Sequence, residues 1–198
     1  MPNLPPPTFA NPPIRQVRAV YADKTIRVYQ AYSDAIADTA LCNGRFGSPA
    51  FKMNRMTWIK PSFMWMMYRS GWGLKDDKQA RILAIDISRD GFDWALEHSC
   101  LSHPEEPITQ KEWQSLKQRM PVRVQWDPER DLLLRAKAYR TIQIGLSKEA
   151  VELYVETWTK HITDVTQLAH EIHALVKNRE FERASELLPM ERPYPYLY

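Results

Sequence analysis

Between Arg55 and Gly73 the chain reads Arg-Met-Thr-Trp-Ile-Lys-Pro-Ser-Phe-Met-Trp-Met-Met-Tyr-Arg-Ser-Gly-Trp-Gly. Arg55, Lys60 and Arg69 bring positive charge, Thr57 and Ser62 bring hydroxyl donors, and Trp58, Trp65, Tyr68 and Trp72 bring flat apolar rings. Apolar bulk around a few convergent polar groups is the make-up of a ligand pocket. The chemistry open to this set is capture of a phosphorylated ring compound. Cations and hydroxyls take the phosphate oxygens, and a Trp or Tyr stacks on the base. Lys60-Pro61-Ser62 falls where a helix is predicted to begin, which would add free backbone N–H groups and the positive end of a helix dipole. The competing reading is a core helix whose cations snorkel outward.

A second stretch, Gln125-Trp-Asp-Pro-Glu-Arg130, is predicted to end a strand and turn. It offers Glu129 and Asp127 as acid, base or stabiliser of a positive charge, with Arg130 to keep them ionised. Asp-Pro is equally ordinary turn chemistry. Gln30, in a strand segment expected opposite Arg140–Gln143, and Gln143 itself must find hydrogen bonds if they face apolar surroundings. Their partners are either protein groups or a ligand amide. His170 and His173, with His161 before them, have a spacing that shares a metal on a helix. No third ligand follows and the spacing is not that of a zinc protease, so no metal is predicted.

The elements that must position these groups follow from pattern and punctuation. Thr25–Tyr32 is a β-branched and aromatic strand with Ile26, Val28 and Gln30 on one face and Arg27, Tyr29 and Ala31 on the other. Ser33 caps a helix over 34–41 that Asn43-Gly44 stops. Arg55–Ile59 is a short strand, and Pro61 opens a helix that runs to Ser70 and ends at Gly71. Arg81–Ile87 is a continuous apolar run suited to a sheet centre. A short helix covers 91–96, and Thr109 with Glu112 forms a capping box for a helix to Gln118. Strands over 121–126 and 139–146 form a hairpin around the expected 127–130 turn. Ser147 caps a helix from Lys148 to Ile162, Asp164 caps another to Lys177, and a third covers 180–188. An edge strand is expected within 14–20. The fold class is α+β, a curved and mostly antiparallel sheet with a C-terminal helical segment.

A chain of 198 residues fits one domain. The proline-rich stretch 1–13 is expected to be a mobile arm, 14–190 a single α+β domain, and 191–198 a proline-broken tail. Cys42 and Cys100 are too few for a disulfide framework, which suits the reducing cytoplasm. No signal peptide and no membrane span is expected. A net charge of +3 permits an anionic ligand without demanding nucleic acid. Seven Trp and nine Tyr suit a site that stacks a ring.

Met56-Thr-Trp-Ile-Lys-Pro-Ser-Phe-Met-Trp-Met-Met-Tyr-Arg-Ser-Gly-Trp72, Val28-Tyr-Gln-Ala-Tyr32, Gln125-Trp-Asp-Pro-Glu-Arg130 and Arg140-Thr-Ile-Gln-Ile-Gly-Leu146 together closely resemble a family of short proteins catalogued as a domain of unknown function. The resemblance runs from about Val17 to near Lys177. Strand Ile26–Tyr32 followed at once by a helix also resembles the opening of ADP-ribosyltransferases. That second resemblance implies a split, curved sheet that holds NAD, with Thr57, Tyr68 and Glu129 (or Asp127) in the places of the hydroxyl, tyrosine and late acidic residues. Gln30 stands where His or Arg is usual, unless Arg27 serves, and the usual hydroxyl triplet is missing. The activity implied is NAD-dependent ADP-ribosyl transfer to a nucleotide, nucleic-acid or protein acceptor. Glu129, with Asp127 second, would stabilise the ribose oxocarbenium ion. Arg27, Gln30, Arg55, Thr57, Lys60, Ser62, Arg69 and Gln143 would hold the dinucleotide, and Trp58 or Tyr68 would stack on it. The alternative is a non-catalytic module for a nucleotide or single-stranded nucleic acid.

Overall fold

The computed structural model describes residues 13–196. Of the expected N-terminal arm only Pro13 falls within that range, and the last two residues of the expected tail fall outside it.

Three antiparallel strands form the first sheet: β2 (Thr25–Tyr32), β4 (Arg81–Ser88) and β8 (Thr159–Asp164), in the order β2-β4-β8. Every residue of β2 has a partner in β4, from Thr25 opposite Ser88 to Tyr32 opposite Arg81. The central strand is the apolar run Ile82–Ile87, interrupted only at Asp86. Both faces are buried, and alternation sends each to a different core. Ile26, Val28, Leu83, Ile85 and Ile87 join one cluster, with Ala37 and Ala40 of α1 (Asp34–Asn43) and Phe92 and Ala95 of α3 (Arg89–Glu97). Tyr29, Ile82 and Ala84 join the other, against Phe63, Met66 and Met67 of α2 (Phe63–Ser70) and Ala169 and Ile172 of α6 (Thr166–Lys177). Each fully buried Leu or Ile here contributes about 1.5–3 kcal/mol.

The second sheet has the order β3-β7-β6-β5, from β3 (Thr57–Ile59), β7 (Ala136–Leu146), β6 (Val122–Arg130) and β5 (Ser99–Leu101). Its strands pair antiparallel except β5, which runs parallel to β6. The architecture is α+β with mostly antiparallel strands. A backbone bridge ties the two sheets together: Tyr29 N–H donates to Lys60 O at 2.7 Å, and Lys60 N–H donates to Tyr29 O at 3.3 Å. Lys60 precedes Pro61, and a residue before proline is held extended. That holds its backbone in the conformation the bridge needs.

Several expectations are corrected. The strand continues through Asp127–Arg130, where a turn was expected. The register shifts between Pro128 and Arg130, an irregularity of the kind that lets a sheet accept proline. The hairpin turns at Asp131, whose side chain takes the N–H groups of Leu133 and Arg135 at 2.9 Å each. Gln30 lies opposite Leu83 of β4, not opposite 140–143, which pair with β6. The expected helix over 148–162 is α5 (Glu149–Leu153), a π-helical turn over Tyr154–Trp158, and then strand β8. Thr159, Ile162 and Thr163 are β-branched and complete the first sheet. Ser147 donates to Pro121 O at 2.7 Å and does not cap that helix. Helix α2 starts at Phe63 with Ser62 as its cap, so Pro61, expected at the first helical position, lies just before it. The tail is tied down: β1 (Arg18–Ala19) pairs with β9 (Arg192–Pro193), and Tyr194 is buried. The Thr109–Glu112 capping box is present on α4 (Gln110–Arg119), and α7 covers Phe181–Glu186. Among the described residues no helix is long and apolar enough to cross a membrane.

Candidate functional site

Where β2 ends beside β3, the two sheets leave a cavity of about 520 Å³. Its inner wall is a polar network on an otherwise apolar face. Gln30 projects with Ile26 and Val28, and three protein groups fix its amide. Nε2 donates to Thr57 Oγ1 at 2.6 Å and to Trp58 O at 3.2 Å, and Oε1 accepts from Tyr154 O–H at 2.7 Å. The Tyr32 hydroxyl pairs with Thr57 Oγ1 at 2.9 Å. Burial raises both Tyr32 and Tyr154 well above the usual phenol range, so both stay protonated. Satisfied networks of this kind are rigid.

Lys60 forms the floor. It is 7% exposed, and its amine donates to Trp58 O at 2.9 Å. Around the rim stand the exposed side chains of Lys52, Arg55, Arg69 and Lys78. Among the described residues no carboxylate lines the cavity, and none of these five cations forms an ion pair. Burial first, and the Arg69 charge second, lower the Lys60 amine to about 7, while Asp127 acts in the opposite direction. A buried ammonium is costly unless a negative group meets it. Of the five, Lys60 is the buried one, and among the described residues no carboxylate forms an ion pair with it.

One ring is built into the wall. Trp58 and Lys60 lie on the same face of β3, and Gly145 is directly opposite Trp58. A Cβ on Gly145 would come within 2.9 Å of two ring carbons of Trp58. Glycine is what lets the indole lie down on the sheet. Farther along that face Gln143 faces Gln125 and Thr141 faces Asp127. The Asp127 carboxylate is held by Gln143 Nε2 at 2.7 Å and Gln125 Nε2 at 2.9 Å.

Of the residues singled out in the sequence, Gln30, Arg55, Thr57, Trp58, Lys60 and Arg69 line one cavity. The others do not. Arg27 makes a two-pronged ion pair with Asp86, both distances 2.8 Å. Tyr68 lies under the Arg130 guanidinium, 3.7 Å from the ring centre. Ser62 caps α2 by accepting from Trp65 N–H at 3.1 Å, and it donates to Glu129 at 2.9 Å. Phe63 N–H is taken by Glu191 at 2.6 Å. Two of the N–H groups expected to be free for an anion at the start of α2, those of Phe63 and Trp65, are thus occupied by the protein. Glu129 also accepts from Arg130 N–H at 2.7 Å and is 4% exposed. It lies outside the cavity lining, and so does Asp127. His173 stacks on Trp72 with ring centres 5.1 Å apart.

Sequence reasoning missed Tyr32, Tyr154, Lys52 and Lys78. Tyr32 was legible, since it lies two residues beyond Gln30 and shares its strand face. Tyr154 was not, because only a π-helical turn carries its hydroxyl to Gln30.

No curated protein matches the chain in sequence. One family model does, over residues 16–194, so that the cavity, the polar network behind it and the strands that carry both fall inside the match, and the protein belongs to the family described as Domain of unknown function (DUF4291).

Proposed function

We propose that the cavity binds a nucleotide or dinucleotide through its phosphates. One observation carries this reading: Lys52, Arg55, Lys60, Arg69 and Lys78 surround one hollow that no carboxylate lines among the described residues. A volume of about 520 Å³ suits a ligand of this size. Trp58 supplies a half-exposed ring for a base to stack on. The cations gather round one cavity rather than along a track, which favours a small ligand over a nucleic-acid strand. Calorimetry with ADP, NAD and adenosine tests it. ADP and NAD are expected to bind and adenosine, which has no phosphate, to bind far more weakly. Equal affinity for all three would remove phosphate capture as the basis of the site.

A second reading, ADP-ribosyl transfer from NAD, is favoured by the position of Asp127. Its carboxylate acts on Lys60 and lies on the sheet face that carries Trp58 and Lys60. Glu129 is committed to Ser62 and the Arg130 N–H, so Asp127 is the better candidate to stabilise an oxocarbenium ion. Release of nicotinamide from NAD that persists undiminished in Asp127→Asn would exclude that role.

A further inference from the structure

Lys60 is placed as a reactive amine is placed. Its backbone is locked by two hydrogen bonds to Tyr29 and by the following proline. Its side chain lines the cavity at 7% exposure, its amine has Trp58 O at 2.9 Å, and among the described residues it has no ion pair. Arg69 lines the same cavity, and a neighbouring cation disfavours the protonated amine. Desolvation beside another cationic group is one of the ways a lysine is activated as a nucleophile.

We infer that Lys60 condenses with the aldehyde of a phosphorylated aldose whose phosphate is held by Arg55 and Arg69. This rests on the phosphate-binding reading of the cavity. The amine lone pair attacks the carbonyl carbon, a N–C bond forms, and the carbonyl oxygen takes up a proton to give a carbinolamine. The nitrogen gives up both of its protons in balance with the two the oxygen gains, so the hydroxyl leaves as water and the C=N bond forms. One amine and one aldehyde yield one imine and one water, with no oxidant or reductant. With its amine near 7, Lys60 is largely free base at pH 7.5. An exposed lysine is free base in only about one molecule in a thousand there.

ADP-ribose is the probe, since it carries a diphosphate and an aldose end that opens to an aldehyde. The full chain is incubated with ADP-ribose and cyanoborohydride, and the reduced adducts are mapped by peptide mass. Binding of ADP is measured separately by calorimetry. The expected result is labelling of Lys60 on the order of ten times that of exposed Lys75, because the larger free-amine fraction outweighs the weaker nucleophilicity of a less basic amine. An excess of ADP should suppress it, and Lys60→Arg should lose that adduct alone. Labelling of Lys60 no greater than that of Lys75, in protein that binds ADP, overturns the inference and leaves the binding reading standing. Protein that binds no ADP overturns both.

Discussion

The short crossing from Lys60 to Phe63 touches two pockets of buried charge that are built in opposite ways. On one side Glu129 and Glu191 meet the start of α2, where Ser62 O–H and Arg130 N–H serve Glu129 and Phe63 N–H serves Glu191. Burial pushes Glu191 up to about 8, and the nearby Glu129 adds to the rise. On the other side burial and Arg69 bring Lys60 down to about 7. Both groups leave their ordinary ranges, so the shift alone does not mark a site. The difference lies in the partners. The carboxyls are met by protein donors at a helix start, where negative charge also suits the dipole. None of the five cations has an ion-pair partner among the described residues, and only Asp127 acts on Lys60 from a distance. A pocket that satisfies its own charge holds structure together, and one that does not leaves that charge open to the anion proposed for it.

The sharpest way to break this contrast is to remove one member of each pocket. Lys60→Met takes away a buried amine whose charged form has no ion-pair partner among the described residues. ADP affinity is expected to fall about 100-fold, or about 3 kcal/mol. Below pH 7, where the amine is charged, folding stability should hold or rise, because the desolvation cost goes with the ammonium. Glu129→Ala should do the reverse. Ser62 O–H and Arg130 N–H lose their acceptor, which costs about 2 kcal/mol of stability in urea unfolding, while ADP binding by the folded protein stays within a few fold. If Glu129→Ala lowers affinity as far as Lys60→Met does, the two pockets are one functional unit and the comparison fails.

Stability against pH separates the same pockets more gently, with opposite signs. Glu191 has a raised folded value, about 8 against 4.5, so the folded state holds more protons between those values. Stability therefore falls as pH rises from 4.5 through 8. Lys60 has a lowered folded value, about 7 against 10.5, so the unfolded state holds more protons in that window and stability rises with pH across it. Thermal melts of the ligand-free protein should lose the first slope in Glu191→Gln and the second in Lys60→Met. A bound phosphate reverses the Lys60 effect by favouring the ammonium, so ADP affinity should decline as pH climbs past 7. An affinity flat from pH 6 to 9 would mean that the amine does not meet the anion.

Part of the cationic pocket was legible in the chain because Arg55, Thr57, Trp58, Lys60 and Arg69 sit in one compact stretch, whereas Lys52 and Lys78 lie outside it. Density of cations and rings in one run survives any uncertainty about fold, whereas a partnership between distant segments does not. The carboxyl pocket shows this. Asp127-Pro-Glu looks like a turn, and only pairing with β7 and an irregularity at Pro128 keep it in a strand. Glu191 sits in a proline-broken tail, and its role appears only once β9 docks on β1. Strand β8 was read as helix because Thr159–Asp164 follows a helical start without a Gly or Pro to end it; a π-helical turn makes the transition instead. Local propensity is silent on such a switch, since the pairing of β8 with β4 decides it.

The smallest expected effect concerns Gly145, whose missing side chain makes room for Trp58. In Gly145→Ala the new methyl would fall 2.9 Å from two ring carbons of Trp58 and 3.0 Å from Met56 Sδ. The neighbouring strands are fixed by pairing, so the ring must move, and Trp58 is exposed enough to swing toward the cavity. Overpacking of this kind costs about 1 kcal/mol when a side chain can yield. The displaced indole would also stand where a base is expected to stack, so ADP affinity should drop a few fold and more than pyrophosphate affinity does. A double-mutant cycle with Trp58→Leu isolates the contact. If the glycine serves the indole, Gly145→Ala in the Trp58→Leu background should cost almost nothing in stability or in ADP binding. A cost that persists there would place the glycine's purpose in the sheet and leave the ring without a part in the site.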